Sequence, residues 1–192
     1  MKTFLTILVA MTLLSTTSDI SMLGFKINDT KSSLDNVKLK VVAKENDMIK
    51  YRTENGNDFS ITLEKGIIVY MENDWLQDDK GRQPLYSNFK FGQTSLSDIR
   101  KKFDTNGFTY KNRGPFTTKT DLIEFNCFEF DSPNNEILVL ITKVSLKADV
   151  TEKNVADKLK LDAMIIADKG YLDRTWGKEK ILDPNYKKIK PW

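Results

Sequence analysis

Glu54-Asn55-Gly56-Asn57 constrains this chain more than any other four residues, because it joins two segments whose side chains alternate with a period of two. Asp47 to Thr53 sets Met48, Lys50 and Arg52 against Ile49, Tyr51 and Thr53, and Phe59, Ile61 and Leu63 alternate with Ser60, Thr62 and Glu64. Asn-Gly between two alternating runs is a strong hairpin signal, since both residues accept positive φ. Lys65-Gly66 turns the chain again and Ile67 to Glu72 runs back, which predicts a three-stranded antiparallel meander.

Asp78-Asp79-Lys80-Gly81-Arg82-Gln83-Pro84 is polar and rich in turn formers, and marks the internal boundary. On either side of it lie two related runs, Phe25-Lys26-Ile27-Asn28-Asp29-Thr30 and Phe89-Lys90-Phe91-Gly92-Gln93-Thr94, at an offset of 64. Each leads into a polar segment that can be helical. Thr30 to Val37 carries weak helical spacing behind Asp29 or Thr30 as cap. The second segment is clearer: Thr94 or Ser95 caps, Asp98 stands in the first turn, Leu96, Ile99 and Phe103 share a face, and Asn106-Gly107 ends it. Strands are expected at Phe108 to Asn112, Thr120 to Phe130 and Glu136 to Leu146, the last two joined at Pro133-Asn134-Asn135. Val150 to Asp168 reads as an amphipathic helix, with Thr151 and Asn154 at its start, a stripe of Val155, Leu159, Ala163 and Ile166, and Gly170 as its stop. The tail after it sets Tyr171, Trp176, Tyr186 and Trp192 among lysines. The expected fold is therefore α+β, two helix-then-antiparallel-meander repeats with an additional C-terminal helix. Its segments are a signal peptide over 1–18, repeats over 19–80 and 85–147, and the helix and basic aromatic tail over 148–192.

The leader MKTFLTILVAMTLLSTTS has the layout of a secretory signal peptide: Lys2, an apolar run from Phe4 to Leu14, then small residues. Thr16 and Ser18 suit the peptidase subsites, so cleavage is expected near Ser18, giving a periplasmic or secreted protein. The apolar run of about eleven residues is short of the ~20 that span a membrane. No membrane span is expected later in the chain, since every apolar run is broken by charge.

Histidine is absent, which removes the usual general base, the Ser-His-Asp and Cys-His arrangements and the common zinc sites. No oxygen-ligand calcium loop is recognisable either, so no metal or other cofactor is expected, and no catalytic residue is assigned. Cys127 is the single cysteine; lying in a strand-like run with Ile123 and Phe125, it reads as a small core residue. The formal net charge of +3 is too small and too dispersed to call for a nucleic-acid partner. Chemistry that needs only carboxylates survives this filter, and Glu64, Glu72, Glu124 and Glu129 lie on predicted strands where an acid pair can be imagined.

The order of opening segment, Gly or Asn turn, Thr-Ser-Leu-Ser-Asp-Ile at a helix start and then a meander resembles a small repeat. It is shared by the outer-membrane assembly lipoproteins of the SmpA/OmlA (BamE) type and the β-lactamase inhibitory proteins. Their units begin F/I-x-x-G-x-T/S-x-x-x-[VI]; Phe89, Gly92, Thr94 or Ser95, and Ile99 match it, whereas Asn28 stands where the first unit would have glycine. No lipobox cysteine follows the leader, and the inhibitors' disulfide cysteines are missing, so neither lipid anchoring nor the specific inhibitor role carries over. The resemblance implies a non-catalytic binding protein whose sheets present a concave aromatic surface to another protein.

The aromatics at strand ends and loops, Tyr70, Trp75, Tyr86, Phe108, Tyr110 and Phe116, are the candidate binding residues, with core filling as the competing assignment for each. The expected function is an exported, non-catalytic protein-binding module: an inhibitor, an immunity-like factor or an envelope-assembly accessory. A carboxylate-dependent glycan hydrolase and a small-molecule or lipid carrier are the alternatives. Lys187-Lys188-Ile189-Lys190 adds a weak contact with an anionic surface as an option for the tail.

Overall fold

The computed structural model describes residues 20–35 and 37–191, so the leader, Asn36 and Trp192 lie outside the described residues. The strands are β1 (Lys40–Glu45), β2 (Met48–Arg52), β3 (Asp58–Glu64), β4 (Ile67–Asp74), β5 (Phe108–Tyr110), β6 (Phe116–Thr117), β7 (Asp121–Glu129), β8 (Glu136–Ser145), β9 (Lys160–Asp168) and β10 (Lys180–Leu182). All belong to one antiparallel sheet with the order β1-β2-β3-β4-β9-β8-β7-β5-β10, and β6 pairs with β7 at the side. The helices are short: α1 (Leu96–Phe103), α2 (Val155–Lys158) and α3 (Lys169–Thr175).

This corrects the expected α+β class. The chain is not two helix-then-meander repeats with a C-terminal helix; the described residues form a single sheet of ten strands decorated by three small helices. The decisive error falls at Val150 to Asp168, where only Val155–Lys158 is helical and Lys160–Asp168 is a central strand between β4 and β8. Its apolar spacing fits both periods, because Met164 and Ile166 face one side of the sheet while Ala163, Ile165 and Ala167 face the other, and both sides are buried. Gly170 does not stop a helix but lies inside α3. The first polar segment likewise yields one 3-10 turn, Lys31–Leu34, in place of a helix to Val37.

Much of the turn chemistry read from the sequence holds, except that Asp104, with φ of 52°, takes the left-handed position that ends α1 ahead of Asn106-Gly107. Lys65 and Gly66 take φ of 52° and 78°, the two left-handed residues of a two-residue hairpin loop, and Glu64 and Ile67 pair across it. Ser95 and Asp98 form a reciprocal capping box at the start of α1, whose Leu96, Ile99 and Phe103 are buried. Asn28, with φ of 76°, makes the turn that Gly92 makes at 69°. Each donates its N–H to a strand beginning next to the sheet's centre, Asn28 to Ile68 at 2.9 Å and Gly92 to Leu161 at 2.7 Å.

The two faces of the sheet are covered unequally. One carries the larger core, in which the opening segment, α1 and the loop after β4 pack on Phe59, Ile61, Met71, Phe128, Leu138 and Ile166. The other is covered only over β5, β7, β8 and β9, where α3 and the tail pack Leu172 and Trp176 on Ile137, Val139 and Ile165. Over β2, β3 and β4 that second face carries Lys50, Arg52, Asp58, Ser60, Glu72 and Asp74, brought into rows by the strand register. The tail is not a free basic segment: Ile189 is buried and bridges Phe130, Lys187 pairs with Asp104, and Lys188 pairs with Glu129 at 2.8 Å. Among the described residues, no helix is long and apolar enough to cross a membrane.

Candidate binding groove

The border between the covered and open halves of the second face forms a groove of about 370 Å³. Period-two alternation puts Tyr70, Glu72 and Asp74 of β4 on this face, opposite Ala167, Ile165 and Ala163 of β9. Ile141 of β8 and Phe125 of β7 continue the floor. The Asp168 side chain accepts from the Tyr171 N–H at 2.7 Å and starts α3 so that Tyr171, Thr175 and Trp176 form one wall. Tyr171 meets Tyr70 at 5.9 Å between ring centroids, and Trp176 meets Phe125 edge-on at 5.7 Å. A 3-10 turn after β5, Lys111–Arg113, sets Arg113 over Trp176 at 5.1 Å and over Phe125 at 5.7 Å.

The electrostatics of the groove follow from burial. The Tyr70 hydroxyl donates to the Glu72 carboxylate at 2.8 Å, and Glu72 and Asp74 share a further hydrogen bond. Loss of solvent raises the Glu72 carboxyl to about 7, and the neighbouring Asp74 charge adds to the rise. Asp74 is raised too, by burial first, with Lys50 opposing. Lys50 stands 3.6 Å from both Asp58 and Asp74, and Arg52 Nε donates to Asp58 at 2.8 Å. Burial pushes the Tyr70 phenol well above its ordinary range.

The six aromatics proposed from sequence do not assemble into one surface. Tyr70 lines the groove, and Phe116, 44% exposed on β6, stacks on Phe125 behind it. Trp75 is a lid on the larger core, stacked on Phe91 at 6.3 Å, covered by Arg82 and tied through Nε1 to the Asp78 carbonyl at 2.9 Å. Tyr86 is buried against Phe130, while Phe108 and Tyr110 are buried beneath Lys180. Phe108 and Tyr110 fill the core because β5 is an internal strand between β7 and β10, and Tyr86 does so because the loop after β4 folds over the larger core.

The imagined acid pairs also separate. Glu64 is tied to Arg174, Glu129 to Lys169 and Lys188, and Glu124 points to the opposite face of the sheet, so of the four only Glu72 lines the groove. Its partner Asp74 sits beside it on one strand, hydrogen-bonded to it, whereas a glycosidase holds its two carboxyls roughly 5 to 9 Å apart across a scissile bond. Among the described residues no cluster of metal-ligating side chains occurs. Cys127 is fully buried, and burial holds its thiol up at about 12, as fits a core residue.

Arg113, Phe125, Tyr171 and Trp176 were missed from sequence. Tyr171 and Trp176 stood out as aromatics in a tail, but nothing local ties them to a strand 100 residues earlier in the chain. Comparison with protein families, with curated proteins and with solved structures finds no match to this chain.

Proposed function

We propose that this protein is an exported, non-catalytic binding module that captures another protein on the half-covered face of its sheet. The observation that carries the reading is the groove walled by Tyr70, Tyr171, Trp176 and Arg113, residue types that dominate binding hot spots. They are held rigid by ring contacts and by the α3 cap, which lowers the ordering cost of association. The adjoining rows over β2, β3 and β4 supply a charged and polar rim. The leader composition of residues 1–18 supports export. Against a lipid carrier stands the way Leu172 and Trp176 fill the space between α3 and the sheet.

Thr175 is exposed on the groove wall, so Thr175→Arg fills the groove without touching the core. Affinity capture from an extract of the source organism, with cross-linking to map the contact, is expected to recover a partner whose cross-links fall on β2 to β4 and α3. Thr175→Arg should lose it, while Lys102→Glu on α1 should not. A partner retained by Thr175→Arg, or cross-links confined to the other face, overturns the reading.

A further inference from the structure

Charge accounting in the groove leaves one cation over. Lys50 is placed between Asp58 and Asp74, Arg52 is bonded to Asp58, and Glu72 is bonded to Tyr70 and Asp74. Arg113 lines the same groove and touches only the rings of Trp176 and Phe125; among the described residues no carboxylate pairs with it and no acceptor takes its N–H groups. A guanidinium propped on two aromatic rings with its donors unused is pre-organised for a planar, bidentate acceptor. A cationic ligand would find those ring faces already occupied by a like charge.

Resting on the sheet-face reading above, we infer that Arg113 is the recognition point of the groove and takes a carboxylate, the side chain of an exposed Asp or Glu on the partner protein. The opposite wall makes this capture depend on pH. Facing Glu72 are Tyr70 and Asp74 from its own strand, Asp58 from β3, Lys50 from β2, Tyr171 from α3 and Arg113, while β9 contributes the uncharged Ile165. While Glu72 keeps its proton, this wall does not repel an incoming anion. Once it ionises, above about 7, it repels the ligand and competes for Arg113, so binding tightens as pH falls from 8 to 6.

The test is a titration of the isotope-labelled protein, following the Arg113 Nε–H and Trp176 indole signals. The probes are acetyl-Gly-Ser-Glu-Ser-Gly-amide, the same peptide with Gln or Lys in place of Glu, and inorganic phosphate. At pH 6 the Glu peptide should bind roughly tenfold tighter than the Gln peptide, the usual scale for a charge-assisted bidentate pair. It should weaken several-fold at pH 8, Arg113→Lys, which keeps the charge but loses the bidentate fork, should cut the preference several-fold, and Glu72→Gln should flatten the pH profile. Arg113 is exposed and the lysine keeps its charge, so the fold is retained. Equal binding of Glu and Gln peptides, preference for the Lys peptide, or phosphate shifting Arg113 as strongly as the Glu peptide overturns the inference. If Thr175→Arg loses the protein partner while the Glu and Gln peptides bind alike, the carboxylate falls and the sheet-face reading stands; the reverse pattern removes the partner and keeps the anion site.

Discussion

Glu72 lies beside Asp74 with Lys50 already placed between two other carboxylates, so its charge is poorly compensated at the pH where most proteins work. Its folded carboxyl titrates at about 7 against an ordinary 4.5, which means that the folded chain holds a proton the unfolded chain has released between those values. Stability from this group is complete below the lower value and declines as pH rises to the upper one, by on the order of 2 kcal/mol once solvent access is allowed for. Glu72→Gln removes the decline. The variant is expected to melt roughly 5 °C above the parent at pH 8.5 and within about 1 °C of it at pH 5. Equal melting temperatures at pH 8.5 would show that the carboxyl titrates normally. Tyr70 and Asp74 stand two residues away on the same strand, but the burial that dominates the shift comes from elements distant in sequence, so it was not legible locally.

Elements were readable where one short stretch holds all the determinants. The start of α1 is such a case: Ser95 accepts from the Asp98 N–H at 3.1 Å, and Asp98 accepts from the Ser95 N–H at 3.0 Å. The hydrogen bond from Ser95 also lowers the Asp98 carboxyl. Ser95→Ala is expected to cost about 1 kcal/mol, read as a fall of a few degrees in a thermal melt, whereas Ser95→Asn should recover most of it. β9 is the opposite case. Its run Ala163 to Ala167 is apolar on both faces, which hides the alternation begun at Leu161 and Asp162, and a helical stripe of Val155, Leu159, Ala163 and Ile166 runs straight into it. Burying Met164, Ile165 and Ile166 at once contributes roughly 1.5–3 kcal/mol for each side chain, and only the place between β4 and β8 buries both faces. β1 escaped notice for a different reason: as an edge strand with Val41 and Val42 exposed and lysines at Lys40 and Lys44, it lacks an inward stripe.

At the scale of the molecule, the tail closes the structure. The Ile189 N–H donates to the Glu129 carbonyl at 2.9 Å, the Asp131 N–H donates to the Ile189 carbonyl at 2.8 Å, and Ile189 is 4% exposed. Glu129 reinforces the clamp: burial would raise its carboxyl, but hydrogen bonds from Lys188 and Lys169 win and hold it below its ordinary value. The clamp is therefore intact above the unfolded value and is lost as acid protonates Glu129. Ile189→Asp, which puts an unpaired charge in the core, is expected to cost about 2–4 kcal/mol and to open the tail. Limited trypsin digestion should cut the variant at Lys187 and Lys188 well before the parent. A tail equally resistant in both would show that it docks without Ile189.

The sequence alone settled the hairpin turns, the N-terminal cap of α1, the strands that alternate and the burial of Cys127, because each depends on residues a few positions apart. Tertiary structure alone decided that the strands join one sheet, that β9 runs through its middle and that Arg113 and Trp176 meet Tyr70 and Glu72. Those outcomes depend on which surfaces lose water together, and a strand wanted on both faces, like a side chain propped by a distant ring, has no mark in its neighbours along the chain.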